Sequence, residues 1–372
     1  MMKSEIMNHD VFREMEKWAP RNLAYDWDNV GLQVGSFSRQ VKKVMVTLDV
    51  LENVVDEAIK EKVDLIIAHH PLLFKSAKQI NTDDVQGRII QKLLKHDITV
   101  YAAHTNLDAA NGGVNDMLCD TIGLKNTDLL MESKEEALFK FVVYVPITHL
   151  ENVRKALGDS GAGHIGNYSH CTFQTEGTGT FKPLAGTNPY IGQEGDMEHV
   201  NEAKLETIVQ EKSLPTVLGQ MKQAHPYEEV AYDIFPIANE GQKFGVGRIG
   251  ELDQEMSLQE LCNHIKQTLD VPSLRVTGDL HQQVKKIAVL GGSGEDFIHV
   301  AKAKGADVYL TGDMSFHHAQ DAWQMGLSII DPGHHVEKVM MQATKHYLEN
   351  IFTNKQLEVI TSKSNTEPFQ FV

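Results

Sequence analysis

Cysteine is scarce in this sequence of 372 residues. The chain holds three, Cys119, Cys171 and Cys262, and no two of them form a CxxC pair. This scarcity excludes a disulfide scaffold and a cysteine-rich metal site, and it is typical of a reducing cytoplasm. No apolar run reaches the roughly 20 residues of a membrane-spanning helix, and the charged residues 1–20 do not resemble a signal peptide. We therefore expect a cytoplasmic protein without a membrane partner.

Basic residues are also in the minority. Lysine and arginine number 35 against 51 aspartates and glutamates, which gives a formal net charge of −16. A chain this acidic does not offer a broad surface for phosphate backbones, so we expect no nucleic-acid partner. The GxxxxGK[ST] motif is missing, which excludes a P-loop nucleotide hydrolase.

Two glycine-rich segments require separate consideration. The stretch 245–250, GVGRIG, matches GxGxxG, but we expect a polar turn before it and an acidic linker after it, at 251–257. A dinucleotide fingerprint requires a strand, a loop and a helix, so we do not predict such a site. The stretch 291–294, GGSG, lies between a predicted strand and a predicted helix, where it is either a tight turn or a cradle for an anion.

Hydrophobic periodicity predicts an α/β arrangement in the first third of the chain. Apolar strands at 42–49, 64–68 and 98–103 alternate with amphipathic helices at 51–62 and 84–96. This strand–helix–strand rhythm implies parallel strands that are joined by helical crossovers.

The same order of elements returns near the C-terminus. Its predicted segments are a strand at 285–290, a loop at 291–294, a helix at 295–305, a strand at 307–311, a helix at 315–325 and a strand at 327–330. The two copies align without a gap from Lys42 on Lys285 to His70 on Asp313. After a connection that is 14 residues shorter in the second copy, Glu337 falls opposite Asp108. We interpret the copies as two related α/β halves that face each other across a pseudo-two-fold axis.

Between the copies the pattern changes to strand, helix, strand, strand, helix and strand, with a turn-rich stretch at 162–200. This order is the ferredoxin-like plan. We predict a first α/β half at 1–132, an inserted ferredoxin-like domain at 133–240 and a second α/β half at 241–372. The predicted fold class is α/β, with two related halves forming one body that the inserted α+β domain interrupts.

Three clusters of histidines and carboxylates each follow a predicted strand. They are His69 and His70 after 64–68, His104 and Asp108 after 98–103, and Asp331, His334, His335 and Glu337 after 327–330. Ligands of open parallel sheets bind at the carboxyl ends of the strands, so the clusters should open on the same side of the sheet. Imidazoles and carboxylates together suit Zn²⁺, Mn²⁺ or Fe²⁺, and spacing does not choose among these metals.

Each cluster also has a structural interpretation. In an adjacent histidine pair one ring is usually exposed and the other buried in the core. Asp108 is compatible with a helix cap or a turn, and Glu337 with the positive end of a helix dipole. Because three such clusters follow three strands, we favour metal binding over three unrelated structural roles.

The motifs around these clusters resemble the Nif-three-like family, whose members are also called GTP cyclohydrolase I type 2 homologues. The matching segments are LAYDWDNVGLQVG (23–35), DLIIAHHPLLF (64–74), AAHTNLDAANGGVND (102–116), GVGRIGEL (245–252) and residues 311–340. The resemblance implies an α/β protein with a dinuclear metal centre that assembles as a trimer-based hexamer. It also implies an inserted domain similar to PII and CutA proteins, with AHPYEEVAYDIFPI (224–237) as its closing segment.

Transferred residue by residue, the resemblance implies five ligands for two divalent ions of zinc, iron or manganese. These ligands are His69, His70, Asp108, His334 and Glu337. Many members have four positions between the last histidine and the glutamate, whereas His334 and Glu337 are three apart. Both spacings place the side chains on one helical face. We therefore favour His334 over the neighbouring His335.

The function that the resemblance implies is a metal-dependent hydrolase acting on a small molecule, with a nucleotide as the first candidate. For GTP, the purine C8 would be hydrolysed, formate lost, and dihydroneopterin triphosphate formed, with His104 or His317 moving protons. A phosphoesterase is compatible with the same metals. The alternative is a metal-binding regulatory or chaperone protein whose insert senses a small ligand.

Two further motifs have two interpretations each. The DWDN run at 26–29 is either a loop near the metal pocket or a capped turn. The AHPYEE run at 224–229 is either a site within the insert or a structural helix end at a trimer contact, and we favour the structural role.

Overall fold

The computed structural model describes residues 5–75, 77–353 and 357–372. The chain divides into two compact units. One unit, here called the body, comprises Met1–Lys134 and Phe244–Val372, and the other, here called the insert, comprises Glu135–Lys243. None of the described helices is long and apolar enough to cross a lipid bilayer.

The described residues form 15 strands and 11 α-helices. The strands are β1 Gly31–Val34, β2 Lys43–Thr47, β3 Leu65–Ala68, β4 Thr99–Ala102, β5 Lys125–Glu135, β6 Leu138–Pro146, β7 Thr172–Phe181, β8 Glu198–Gln210, β9 Tyr232–Ile237, β10 Lys243–Ser257, β11 Arg275–Thr277, β12 Gln283–Ser293, β13 Val308–Gly312, β14 Ser328–Asp331 and β15 Glu358–Thr361.

Helix α1 precedes β1, and the other helices lie between strands along the chain. The α-helices are α1 Asn8–Trp18, α2 Glu52–Lys60, α3 Val85–Lys95, α4 Thr105–Ala109, α5 Val114–Ile122, α6 Leu150–Asp159, α7 Leu214–Ala224, α8 Leu258–Thr268, α9 Ile298–Ala303, α10 Phe316–Gln324 and α11 Val339–Ile351. Short 3₁₀ helices lie at Arg21–Leu23, Ile147–His149, Glu211–Ser213, Glu295–Phe297 and His334–Lys338.

Two sheets build the body. The first has the strand order β1-β4-β3-β2-β15, and the second has the order β11-β14-β13-β12-β10-β5. Strands β2, β3 and β4 are parallel, as are β12, β13 and β14, and in each set the outer strand pairs with an antiparallel neighbour. The three clusters do not follow strands of a single sheet, because β3 and β4 lie in one sheet and β14 in the other.

The two sheets share one hydrophobic core. Alternate residues of a strand point to opposite faces, and one face of each sheet contributes to the same buried cluster, with Val44 and Leu65 from the first sheet and Val289 and Leu310 from the second. The opposite face of each sheet packs in a hydrophobic cluster of its own, so the strands are buried on both sides. This double burial explains why β3, LIIA, lacks polar alternation.

The two sheets also repeat a local hydrogen-bond pattern. One carboxylate oxygen of Asp64 accepts the backbone N–H groups of Lys42 and Lys43, at 2.8 and 3.0 Å. One oxygen of Asp307 accepts those of Lys285 and Lys286, at 2.9 and 2.8 Å. These are the positions that the sequence alignment of the two halves pairs.

The predictions for the two glycine-rich segments differ from the structure. GVGRIG and the acidic stretch after it lie inside β10, which pairs with β12, so the predicted linker is wrong. The strand was not predicted because a charged residue such as Arg248 is normally exposed. In the structure Arg248 is buried and pairs with Asp116. GGSG is not a separate loop either: β12 runs through Ser293, and the predicted helix 295–305 divides into a 3₁₀ turn and α9.

The insert is a four-stranded antiparallel sheet in the order β7-β8-β6-β9, with the two helices α6 and α7. In chain order within the insert, these are the second, third, first and fourth strands. Both helices contribute to a buried core that includes Phe141, Val153, Leu205 and Met221. Phe173 and Phe235 are exposed side chains of the same sheet.

Candidate metal centre

The carboxyl ends of β3, β4 and β14 bring all five expected ligands together with His104. Their nitrogen and oxygen atoms form three overlapping groups, and within each group the atoms lie within 4.8 Å of one another. The groups are His69, Asp108 and Glu337 (the first group), His70, His334 and Glu337 (the second group), and His69, His70 and His104 (the third group).

The first group contains two buried polar atoms without hydrogen-bond partners. His69 Nε2 lies 3.5 Å from Asp108 Oδ1 and 3.6 Å from Glu337 Oε2. Neither His69 Nε2 nor Asp108 Oδ1 forms a hydrogen bond with any residue that the structure describes. Leaving a buried polar atom unsatisfied costs about 1–3 kcal/mol. A cation bound between these atoms would satisfy both, so the residues fit a metal ion.

The second group converges on one carboxylate oxygen. Glu337 Oε2 lies 3.1 Å from His70 Nε2 and 3.2 Å from His334 Nε2, and the two nitrogens are 3.2 Å apart. Glu337 is 2% exposed and belongs to both groups. A carboxylate in this position can serve two ions at once.

All four imidazoles are oriented by a hydrogen bond from Nδ1. The acceptors are the Ala103 carbonyl for His69 (2.8 Å), Asp49 for His70 (2.7 Å), Asp28 for His104 (2.9 Å) and Asp313 for His334 (2.7 Å). Such bonds fix the ring and leave the lone pair of Nε2 free to bind a metal ion, which is the usual arrangement of metal-binding histidines.

The spacing of His334 and Glu337 has a structural reason. Both residues lie in the 3₁₀ helix His334–Lys338, where side chains three positions apart lie above each other. The three-residue separation therefore places both donors on the same side. Asp331 stabilises the preceding turn, since its carboxylate accepts the backbone N–H groups of Gly333 (2.9 Å) and Met314 (3.1 Å).

Gly292 leaves room for the Glu337 carboxylate. Its φ is 67°, and an added Cβ would come within 2.7 Å of Glu337 Oε1 and 3.4 Å of His334 Nε2. The GGSG segment therefore serves the candidate centre by its small size.

The electrostatics of the cluster favour bound positive charge. Burial is the largest influence on Asp108 and raises its pKa to about 7, with Glu337 adding to the increase. Burial also disfavours the charged form of Glu337, but His69, His334 and His70 outweigh it and hold the pKa well below its usual range. Burial lowers the pKa of His70, but Asp49 and Glu337 outweigh this and raise it to about 10. A hydrogen bond to Glu337 raises the pKa of His334 to about 9.

Two of the histidines considered in the sequence lie outside the three groups. His317 is exposed on α10, where its Nδ1 is 3.3 Å from the side-chain oxygen of Gln320. His335 is half-buried, and burial lowers its pKa. Of His334 and His335, the two alternatives for the last histidine ligand, His334 is the one that lies beside Glu337.

Sequence reasoning missed the carboxylates that orient the histidines. Asp49 comes shortly after β2 and Asp313 directly after β13, so the strand-end criterion would have found both. Asp28 belongs to the DWDN run, and its contact with His104 favours the interpretation of that run as a loop of the metal pocket.

Comparison with known proteins identifies the family. A sequence profile of the Duf34/NIF3 family (NGG1p interacting factor 3) matches residues 6–368. The chain belongs to the DUF34/NIF3 family. A Bacillus cereus protein described as related to NIF3 has a crystal structure with a TM-score of 0.93, 49% identity and full coverage of both chains.

Other relatives in the NIF3 family carry a functional name. A Halalkalibacterium halodurans protein named GTP cyclohydrolase 1 type 2 homolog is 50% identical over 364 residues, which are 97% of this chain and 98% of that protein. A Bacillus subtilis protein of the same name is 48% identical over 373 residues and covers both chains completely. The resemblance that the sequence motifs indicated is therefore confirmed.

Proposed function

We propose that this NIF3-family protein is a hydrolase that depends on a dinuclear metal centre. The proposed ligands are His69, His70, Asp108, His334 and Glu337, with Glu337 shared by two ions. The observation that carries this proposal is the pair of buried, unpartnered atoms in the first group, His69 Nε2 and Asp108 Oδ1. The proposed metals are zinc, iron or manganese, because three imidazoles and two carboxylates suit all three.

Bound divalent ions would supply Lewis acidity and a water of lowered pKa. His104 is the best placed of the chain's own groups to move a proton, since its ring centroid lies 5.2 Å from that of His69 and 5.6 Å from that of His70. Burial disfavours the charged form of Asp28, but hydrogen bonds from His104 and Thr105 lower its pKa overall. The ionised Asp28 holds Nδ1–H of His104 and leaves Nε2 to accept a proton. His317 remains a second proposed proton carrier.

The surroundings of the centre fit a phosphorylated substrate. A cavity of about 880 Å³ is lined by His70 and His334 and also by Arg275. The Arg275 side chain pairs with Asp331 but is 68% exposed, so the rest of its guanidinium can reach a phosphate at the cavity wall. Bound divalent ions would offset the carboxylates of Asp49, Asp313 and Glu367, which also line this cavity. This volume is within the roughly 300–1,000 Å³ of small-molecule sites.

Two exposed aromatic rings on the His104 side of the centre fit a nucleobase. The ring centroid of His104 lies 6.2 Å from that of Trp27 and 6.4 Å from that of Phe74. Both aromatic side chains are about half-exposed, and such rings stack on bases without regard to sequence. We therefore propose GTP, converted to dihydroneopterin triphosphate and formate, as the first substrate to test, and a phosphoester as the alternative.

We also propose the finer fold assignments. The insert, at 133–240, would be a ferredoxin-like domain of the PII and CutA type between halves at 1–132 and 241–372, which its strand order supports. Edge strands β7 and β9 offer unpaired backbone groups to a second copy, which supports self-association. From the family resemblance we propose a trimer-based hexamer, and from the scarcity of cysteine we propose a cytoplasmic location. Light scattering of the metal-loaded chain tests the assembly, and a monodisperse monomer would contradict it.

The proposed activity is tested with the metal-loaded full chain. A panel of nucleotides and phosphoesters is incubated with the protein, and formate and phosphate are measured. We expect formate from GTP with the wild type and with His346→Ala, an exposed histidine of α11, but none with His69→Ala. Full metal content without turnover of any substrate would contradict the hydrolase and favour the metal-binding regulatory or chaperone alternative.

A further inference from the structure

The insert contains a cavity of its own, of about 500 Å³. One part of its wall is the segment 179–184, and another is formed by Thr187, Pro189 and Tyr190. The turn after α7 contributes Tyr227, Glu228 and Glu229, which belong to the AHPYEE run. The structural role that the sequence favoured for this run is therefore incomplete, since three of its residues line a cavity.

Three aromatic rings stand together in this cavity, and we call Phe181, Tyr190 and Tyr227 the aromatic cage. The Tyr227 ring centroid lies 5.7 Å from that of Phe181 and 6.3 Å from that of Tyr190. None of these pairs is parallel, with interplanar angles of 63° and 47°. All three residues line the cavity, and the faces of aromatic rings attract organic cations.

A buried carboxylate lies beside the aromatic cage. Glu202 is 9% exposed, and its Oε1 accepts a hydrogen bond of 2.9 Å from the Tyr227 hydroxyl. Among the residues that the structure describes, no lysine or arginine pairs with Glu202. Gly179 lies close to the other oxygen of Glu202, Oε2, and a Cβ added at Gly179 would come within 1.9 Å of it. A buried carboxylate without a cationic partner is costly, and a cation bound in the cavity would offset this cost.

The walls are held in place by bonds within the insert. His225 is buried, its Nε2 donates to the Tyr144 carbonyl at 3.0 Å, and its Nδ1 accepts the Tyr227 backbone N–H at 3.1 Å. Glu228 accepts the Asn188 backbone N–H at 3.0 Å. The histidine thus fixes the turn that carries Tyr227, and Glu228 ties the opposite wall to that turn.

We propose that this cavity binds a small organic cation, an alkylated ammonium group that sits in the aromatic cage and faces Glu202. The charges of the wall exclude an anion, because Glu202, Glu228 and Glu229 stand against Lys182 alone. The volume is that of a small-molecule site. The proposal concerns the insert alone and does not depend on the metal chemistry of the body.

Calorimetric titration of the full chain tests the ligand class. The probes are choline, tetramethylammonium, and the neutral isostere of choline in which carbon replaces nitrogen. We expect both cations to bind at millimolar concentration, and choline to bind about tenfold more tightly than its isostere, since size and shape are equal and only charge differs. Equal affinity for the isostere, or no binding of either cation, would overturn the proposal.

Two substitutions locate the binding site. Tyr190→Leu removes a ring that is 54% exposed, so folding is not at risk, and Glu202→Gln removes the charge at constant size. We expect each to weaken choline binding about 2- to 30-fold. Phe173→Leu, at an exposed ring of β7 outside the cavity, is the matched control and should bind as the wild type does. Unchanged affinity in both Tyr190→Leu and Glu202→Gln would overturn the assignment.

Discussion

Asp64 in the first sheet of the body and Asp307 in the second make the same pair of backbone hydrogen bonds, yet the strand ends beyond them carry different chemistry. His69, His70, His104 and Asp108 follow strands of the first sheet, whereas Asp313, His334 and Glu337 follow strands of the second. A repeated scaffold therefore does not imply a repeated site.

The difference between the two sheets makes the candidate centre dependent on both. Each of the first two groups combines side chains that follow the first sheet with Glu337, which follows the second. Glu337 is also the only residue that these two groups share. Substitutions at matching positions of the two sheets can therefore separate residues that stabilise the fold from residues that bind the metal.

The largest expected effect is at the shared carboxylate. Glu337→Gln should lose both ions per chain, whereas Asp108→Asn should lose one, because Glu337 belongs to two groups and Asp108 to one. Elemental analysis of the purified proteins measures this difference. Glu349→Gln on α11 and Asp120→Asn on α5 are the controls with the same chemical changes and should keep full metal content. Full occupancy in both site variants would refute the ligand assignment.

The next effect concerns the carboxylates that orient the histidines. Asp49→Asn, which acts on His70, and Asp313→Asn, which acts on His334, should each lower metal affinity about 10- to 100-fold. The two values should be similar, since both rings contact the same Glu337 oxygen. Competition with a metal-binding dye gives the affinities. If neither substitution changes them, these aspartates do not act through the histidines.

A smaller effect, on stability alone and of the same size in both sheets, is expected at the two aspartates that bind backbone N–H groups. Asp64→Ala and Asp307→Ala each remove a carboxylate that accepts two backbone N–H groups, so each should destabilise the body by about 1–3 kcal/mol. Metal stoichiometry should stay unchanged in both. Thermal unfolding with metal analysis of the same samples provides the measurement, with Asp321→Ala, an exposed position on α10, as the control. A large difference between the two variants would contradict the equivalence of the sheets.

Removal of the insert should have no effect on the metals. The Ser133 hydroxyl lies 3.4 Å from the Phe244 carbonyl, so the two chain ends that flank the insert are adjacent and a short linker can join them. We expect the joined body to fold and to bind as many ions as the full chain. A soluble, folded body without metal would show that the insert is needed for the centre, against the domain assignment.

Much of the body could be predicted from the sequence, because β2, β3, β4, β13 and β14 are buried on both faces and therefore read as short apolar runs. The clusters after them identified the members of all three groups. What failed depends on distant contacts. The sequence did not predict β10, because this strand contains Arg248, which is buried and pairs with Asp116. The meeting of strand ends from two different sheets depends on packing that no local pattern records. The orienting roles of Asp49 and Asp313 likewise require knowledge of which ring each one meets.

The central claim is that side chains following both sheets hold two ions around Glu337. Crystals of the metal-loaded full chain, measured at the absorption edge of the bound metal, test it most directly. We predict two anomalous peaks about 3.5–4 Å apart, one contacting His69, Asp108 and Glu337 and the other His70, His334 and Glu337. A single peak, or peaks that do not contact Glu337, would contradict the claim.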